Sequence, residues 1–169
     1  MSTILLMPHM AAGDRDAWVA DQDLRPLSDL GRRQAAALAE TLERRDLCAL
    51  YASPTLRAQQ TLQPLAAATG LPIVIEAGLA EKQEEEDTRA LAQRGWEALW
   101  RIGEEAGEGT VAAVSHGDLI PAVAQFLADE YKLVMVPDLT RRGQWFEIET
   151  EGEDVWVTLS EGPAAFPHS

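Results

Sequence analysis

Two histidines each follow a short apolar run. Thr3-Ile4-Leu5-Leu6-Met7-Pro8 leads into His9, and Thr110-Val111-Ala112-Ala113-Val114-Ser115 leads into His116, which Gly117 and Asp118 follow. In open α/β sheets, ligands bind outside the carboxyl ends of the parallel strands. If these two strands are neighbours, two imidazoles meet over one crevice. Imidazole is a nucleophile and a general acid/base near neutral pH. A third strand end adds a cation. Leu47-Cys48-Ala49-Leu50-Tyr51 reads as a buried strand, and Ser53-Pro54-Thr55-Leu56-Arg57-Ala58-Gln59-Gln60-Thr61 as the start of a helix. Ser53 is the expected N-cap, and Pro54 suits the first turn, where its missing N–H costs nothing. Arg57 then lies beside the positive end of the helix dipole, a pairing that favours an anion. His9, Arg57 and His116 are expected to converge on one pocket at the carboxyl edge of a mainly parallel sheet.

The rest of the chain supplies the elements that would position these groups. Residues 9–27 form a long polar loop containing Trp18, and loops of that length in compact domains are usually functional. Ser28 caps a helix of about 17 residues, whose apolar Leu30, Ala35, Leu38, Ala39 and Leu42 recur at helical spacing. Pro64 is expected to bend or interrupt the Arg57 helix, and Gly70 to end it. Residues 72–75 read as a third strand. A helix over about 86–106 carries Trp96 and Trp100 one turn apart as core residues. The run before His116 is continuous and apolar, as a central parallel strand should be, and residues 118–129 form the next helix. Gln144 to Glu149 and Asp154 to Leu159 alternate around Glu151-Gly152-Glu153, a β-hairpin pattern. The expected fold is a single α/β domain over residues 1–169, a three-layer α/β/α sandwich with a mainly parallel sheet and a C-terminal hairpin.

Composition narrows the partners. The net charge is −14, and phosphate-backbone binding needs a basic face, so no nucleic-acid partner is expected. Anionic membrane surfaces are disfavoured by the same repulsion. A small phosphate ester remains compatible, because a few arginines make a local positive pocket in an acidic protein. Cys48 is the only cysteine, which excludes a disulfide framework and a cysteine-based zinc site; it reads as a buried structural thiol. No membrane-spanning run or secretory leader is evident, and a cytoplasmic location is the expectation. His168, in the C-terminal tail, is given no role. Arg141 and Arg142 read as a solvated turn.

The ordered motifs resemble the histidine phosphatase, or phosphoglycerate mutase-like, superfamily, and within it the small SixA-like phosphatases. They are also similar to the phosphatase domain that follows a Nudix domain in some actinobacterial proteins. Four segments carry the resemblance in family order over roughly residues 3 to 125: the strand ending at His9; Arg25-Pro26-Leu27-Ser28-Asp29-Leu30-Gly31; Ser53 to Thr61; and Ser115-His116-Gly117. The resemblance implies a phosphoglycerate mutase-like fold with no cofactor and no metal. It implies phosphoester or phosphohistidine hydrolysis through a phosphohistidine intermediate, on a small phosphorylated substrate or a phosphohistidine protein. His9 would be the nucleophile, with Arg57 and His116 on the phosphoryl oxygens. A carboxylate after the third strand would protonate the leaving group, and Glu81 is the candidate in Glu76-Ala77-Gly78-Leu79-Ala80-Glu81.

The sequence departs from the pattern beside the nucleophile. Pro8 stands where the family has an arginine that contacts phosphate, and Met10 stands where it has a small residue. Losing one preorganised donor costs about 10²–10³ in rate, and Met10 is expected to add bulk where the substrate approaches. Arg15 or Arg25 is expected to supply the missing cation. The alternative is a catalytically inactive, phosphatase-like module that binds an anion or a protein.

Overall fold

The computed structural model describes residues 1–133 and 141–169. Its ten main elements are β1 (Ser2–Pro8), α1 (Asp29–Leu42), β2 (Leu47–Ala52), α2 (Leu56–Thr69), β3 (Ile73–Ile75), α3 (Thr88–Ala106), β4 (Thr110–Ser115), α4 (Leu119–Glu130), β5 (Trp145–Glu151) and β6 (Asp154–Ser160). The strands form one sheet in the order β3-β2-β4-β1-β5-β6. β1 to β4 run parallel, and β5 and β6 add an antiparallel hairpin. Among the described residues, no helix is long and apolar enough to cross a membrane.

Strand alternation explains the three layers. In β1, Ile4 and Leu6 face one way, and Leu5 and Met7 the other; in β4, Val111 and Ala113 oppose Ala112 and Val114. The first set packs against α3 and α4 through Leu91, Trp96, Leu99, Val123 and Leu127. The second packs against α1 and α2 through Ala35, Leu38, Leu42, Leu62 and Leu65. Strands covered on both faces lose the polar alternation of a half-exposed sheet. Trp96 is core, and Trp100 meets it edge-on with ring centroids 5.7 Å apart.

Several local expectations are corrected. α1 is capped by Ser28 as read, its hydroxyl accepting from the Gly31 N–H. The cap of α2, however, is Thr55, which accepts from the Ala58 N–H; Ser53 is fully buried and its hydroxyl is committed to His116. Pro64 does not interrupt α2, which is continuous from Leu56 to Thr69. Leu62 and Leu65 anchor it to the sheet on either side of the proline. Cys48 is exposed, because the β2–β4 register shifts between Leu47 and Ala49 and turns this residue out of the ladder. α3 begins at Thr88, with Asp87 as N-cap. The C-terminal segment is docked on α1: Arg33 Nη2 donates to the Ser169 carbonyl (2.7 Å) and Gln34 Nε2 to that of Pro167 (2.9 Å).

Candidate active site

Three adjacent strands end at one level. Pro8 is opposite Ser115 and Ala52 opposite Val114. The pairing continues one residue further, as the His9 N–H donates to the Ser115 carbonyl (3.1 Å) and the Ser53 N–H to that of Val114 (3.0 Å). The chain leaves β1 through α1 on one face and β4 through α4 on the other. That divergence opens a crevice at the switch point between the two strands. The imidazoles of His9 and His116 lie there with ring centroids 5.4 Å apart at 66°.

The hydrogen bonds fix the chemistry of His9. Its Nδ1 is 2.7 Å from the Met10 carbonyl. A carbonyl can only accept, so Nδ1 carries the proton and Nε2 keeps its lone pair. Arg57 Nε donates to that Nε2 at 3.3 Å. The remaining Arg57 nitrogens donate to the Gln22 carbonyl (2.7 Å) and to Glu81 Oε2 (3.3 Å). Arg57 is 1% exposed, so its charge acts at short range in a poorly screened place. Glu81 Oε2 also lies 3.9 Å from His116 Nδ1, and Ser53 Oγ is 2.7 Å from His116 Nε2.

Both imidazoles are held neutral. Burial is the first cause in each case and lowers the pKa to about 4. For His9 the Met10 carbonyl opposes this, while His116, Arg57 and Arg142 add to it. For His116 the Arg57 and Arg25 charges add to it and Asp118 opposes it.

Arg25 is nearly buried, donating through Nε to Gln22 Oε1 (3.0 Å) and through Nη1 to the Gly13 carbonyl (2.6 Å). Burial and then the Arg57 guanidinium lower its pKa, so the two cations are near neighbours. Arg15 is exposed; its charge is felt at Arg25, and its side chain makes no hydrogen bond or ion pair among the described residues. Pro8 fits its place because β1–β5 pairing stops at Leu6 opposite Phe146, so no ladder bond is lost there. Met10 does not crowd the site as expected. It is fully buried in the core on the α1/α2 side, beside Leu27 and Ala58, with its N–H held by Thr61 Oγ1 (3.0 Å).

Supporting groups went unread in the sequence. Gln34 Oε1 accepts the Ala11 N–H (2.9 Å) and Gln60 Oε1 the Leu27 N–H (2.8 Å), tying the 9–27 loop to both helices. A Cβ at Gly31 would overlap the Ala11 carbonyl oxygen, so the glycine of this segment lets α1 touch the loop. Arg94 of α3 donates to the carbonyls of Gly78 and Ala80 (both 2.9 Å) and pairs with Glu86 (2.7 Å), fixing the turn that presents Glu81. A glutamine or arginine at such positions reads as solvated surface until its partner is known.

A model of the histidine phosphatase superfamily (branch 1) matches residues 13–84, which include Arg25, Arg57 and Glu81. Over 162 residues, 95% of the chain, the sequence is 30% identical to the 8-oxo-(d)GTP phosphatase of Mycolicibacterium smegmatis, and it spans 48% of that relative's length. YhfR of Bacillus stearothermophilus has the same fold, with a TM-score of 0.80 at 21% identity over 98% of both chains. So does the protein histidine phosphatase SixA, solved with tungstate, with a TM-score of 0.67 at 21% identity over 95% of this chain and 97% of its own. The sheet order and these matches define a phosphoglycerate mutase-like α/β protein. The chain belongs to the histidine phosphatase superfamily.

Proposed function

We propose that the protein is a phosphatase that passes a phosphoryl group through His9. The observation that carries this reading is the Nδ1 contact with the Met10 carbonyl, which puts the lone pair on Nε2, where it accepts from Arg57 Nε until the phosphoryl oxygens take over that donor. Nε2 attacks phosphorus, and the bond to the leaving oxygen breaks. Displaced from Arg57 Nη2, 3.3 Å away in the free protein, by the arriving phosphoryl group, Glu81 takes up a proton and hands it to that leaving oxygen. Water then cleaves the phosphorus–nitrogen bond, releasing inorganic phosphate and restoring neutral His9. Arg57, Arg25 and an N–H of His116 hold the equatorial oxygens, where preorganised donors act most strongly. Arg25 takes the part of the cation missing at Pro8. The substrate is a small phosphorylated compound or a phosphohistidine protein. The names of two relatives, an 8-oxo-(d)GTP phosphatase and a protein histidine phosphatase, illustrate the two kinds.

Intact-mass measurement at neutral pH after brief exposure to a generic phosphoester tests this. Wild type should gain one phosphoryl group and His9→Ala none; an adduct that persists in His9→Ala would remove His9 from the mechanism. Pro8 favours a second reading, a non-catalytic module that binds an anion or a protein. That reading requires no His9-dependent turnover, with vanadate binding that is lost in Arg57→Ala.

A further inference from the structure

A cavity of about 730 Å³ lies between α1 and the C-terminal segment, lined by Arg33, Ala36, Arg141, Arg142 and Phe166 among others. Its size is that of a small-molecule site. Three observations tie it to His9. Pro167 in its wall bonds to Gln34, whose Oε1 holds the Ala11 N–H two residues past His9. Antiparallel β5 pairs Phe146 with Leu6, so Arg142, four residues earlier, lies beyond the carboxyl end of β1 on the His9 side. The Arg142 charge also reaches His9 and helps to lower its pKa.

The lining charges differ in their commitments. Arg141 Nη2 pairs with Glu161 (3.4 Å), and Arg33 is bonded to the Ser169 carbonyl. Glu40 is the other carboxylate of the lining. Arg142 is exposed and makes no hydrogen bond or ion pair among the described residues. In a protein of net charge −14, a guanidinium on the cavity wall with no partner among the described residues, its charge felt at His9, is placed for an anion. Arg57 and His116 already flank His9, with Arg57 Nε 3.3 Å from its Nε2 and the two imidazole centroids 5.4 Å apart.

We propose that this cavity holds the non-transferred part of the substrate, and that Arg142 binds a second anionic group linked to the transferred phosphoryl. The substrate class is then that of diphosphates and their esters rather than simple monoesters. The proposal rests on the reading of His9 as the phosphoryl acceptor.

Calorimetric titration with inorganic pyrophosphate, orthophosphate and adenosine diphosphate tests it on the intact chain. Wild type should bind pyrophosphate about tenfold to a hundredfold more tightly than orthophosphate, the worth of one charge-assisted contact. Arg142→Ala should collapse that ratio to near one, and Arg142→Lys should keep part of it. Ala36→Trp, filling the cavity from an exposed helix position, should weaken adenosine diphosphate more than pyrophosphate. An undiminished ratio in Arg142→Ala, or no preference in wild type, overturns the proposal. Equal losses for both phosphates would overturn it too, by placing Arg142 in the phosphoryl pocket itself. Failure of the His9 reading looks different: no phosphorylated His9 forms, and Arg57→Ala leaves orthophosphate affinity intact.

Discussion

Acidification to about pH 5 should destabilise the protein through the two site histidines. Each imidazole is held at about 4 in the fold against 6.5 unperturbed. The unfolded chain therefore binds more protons between those values. The contribution of each histidine is whole above about pH 6.5 and is lost as the pH falls toward 4. At about pH 5, linkage gives a loss of about 2 kcal/mol per histidine, or about 4 kcal/mol for the pair. That is a large share of a typical stability of about 5–15 kcal/mol. Relief of repulsion among the acidic groups works the other way, so the informative quantity is a difference between proteins. Urea unfolding at about pH 7 and pH 5 should be compared for wild type and the double variant His9→Asn, His116→Asn. Wild type should lose about 4 kcal/mol more than the variant. Glu86 does not confuse the window. Hydrogen bonding from Arg94 lowers its pKa to about 2, so its contribution is lost only below the usual carboxylate range. Equal acid losses in both proteins, or imidazole resonances that titrate near 6.5, would refute the reasoning.

Arg57→Ala should lower kcat/KM by about 10²–10³ and Arg25→Ala by a comparable factor; an Arg25 variant with wild-type kinetics would leave the Pro8 position uncompensated. Gly31→Ala should destabilise the fold by about 1–3 kcal/mol and disturb the His9 loop, since its Cβ would overlap the Ala11 carbonyl; thermal unfolding and the rate of His9 phosphorylation both report it. Pro8→Arg should restore about 10² in turnover to an Arg25→Ala protein and little to wild type, where Arg25 already supplies the cation. Met10→Ala, in contrast, should cost about 2–5 kcal/mol in urea unfolding as a core deletion, because that side chain is fully buried.

The sequence revealed the parts of the site set by strand ends. β1, β2 and β4 are apolar runs with a polar residue at the end, and parallel pairing brings His9, Ser53 and His116 to one edge. What it hid depends on partners far along the chain. Met10 looked like a pocket residue because it follows His9, yet its side chain turns into the core shared with Leu27 and Ala58. Ser53 and Thr55 are both acceptable caps, and only His116, 2.7 Å from Ser53 Oγ, decides between them. Arg142 is the exposed turn residue that the sequence suggested, and only the β1–β5 register sets that turn beyond the end of β1. The β2 register shift that exposes Cys48 has no signature in composition or periodicity.

The crevice carries a tethered anion of its own. The Glu81 carboxylate lies 3.3 Å from Arg57 and 3.9 Å from His116, and a group on the same chain competes at a high local concentration whatever the solution contains. Chloride or acetate, with one charge and no further donors to satisfy, gains little by displacing it. A phosphoryl dianion offers more negative charge and more acceptor oxygens, and it can win the exchange. On the proposed reaction, the same exchange would oppose product inhibition, because released phosphate would have to compete with Glu81 to return. Selectivity against common monoanions and rapid clearance of product would thus both follow from one internal counter-ion.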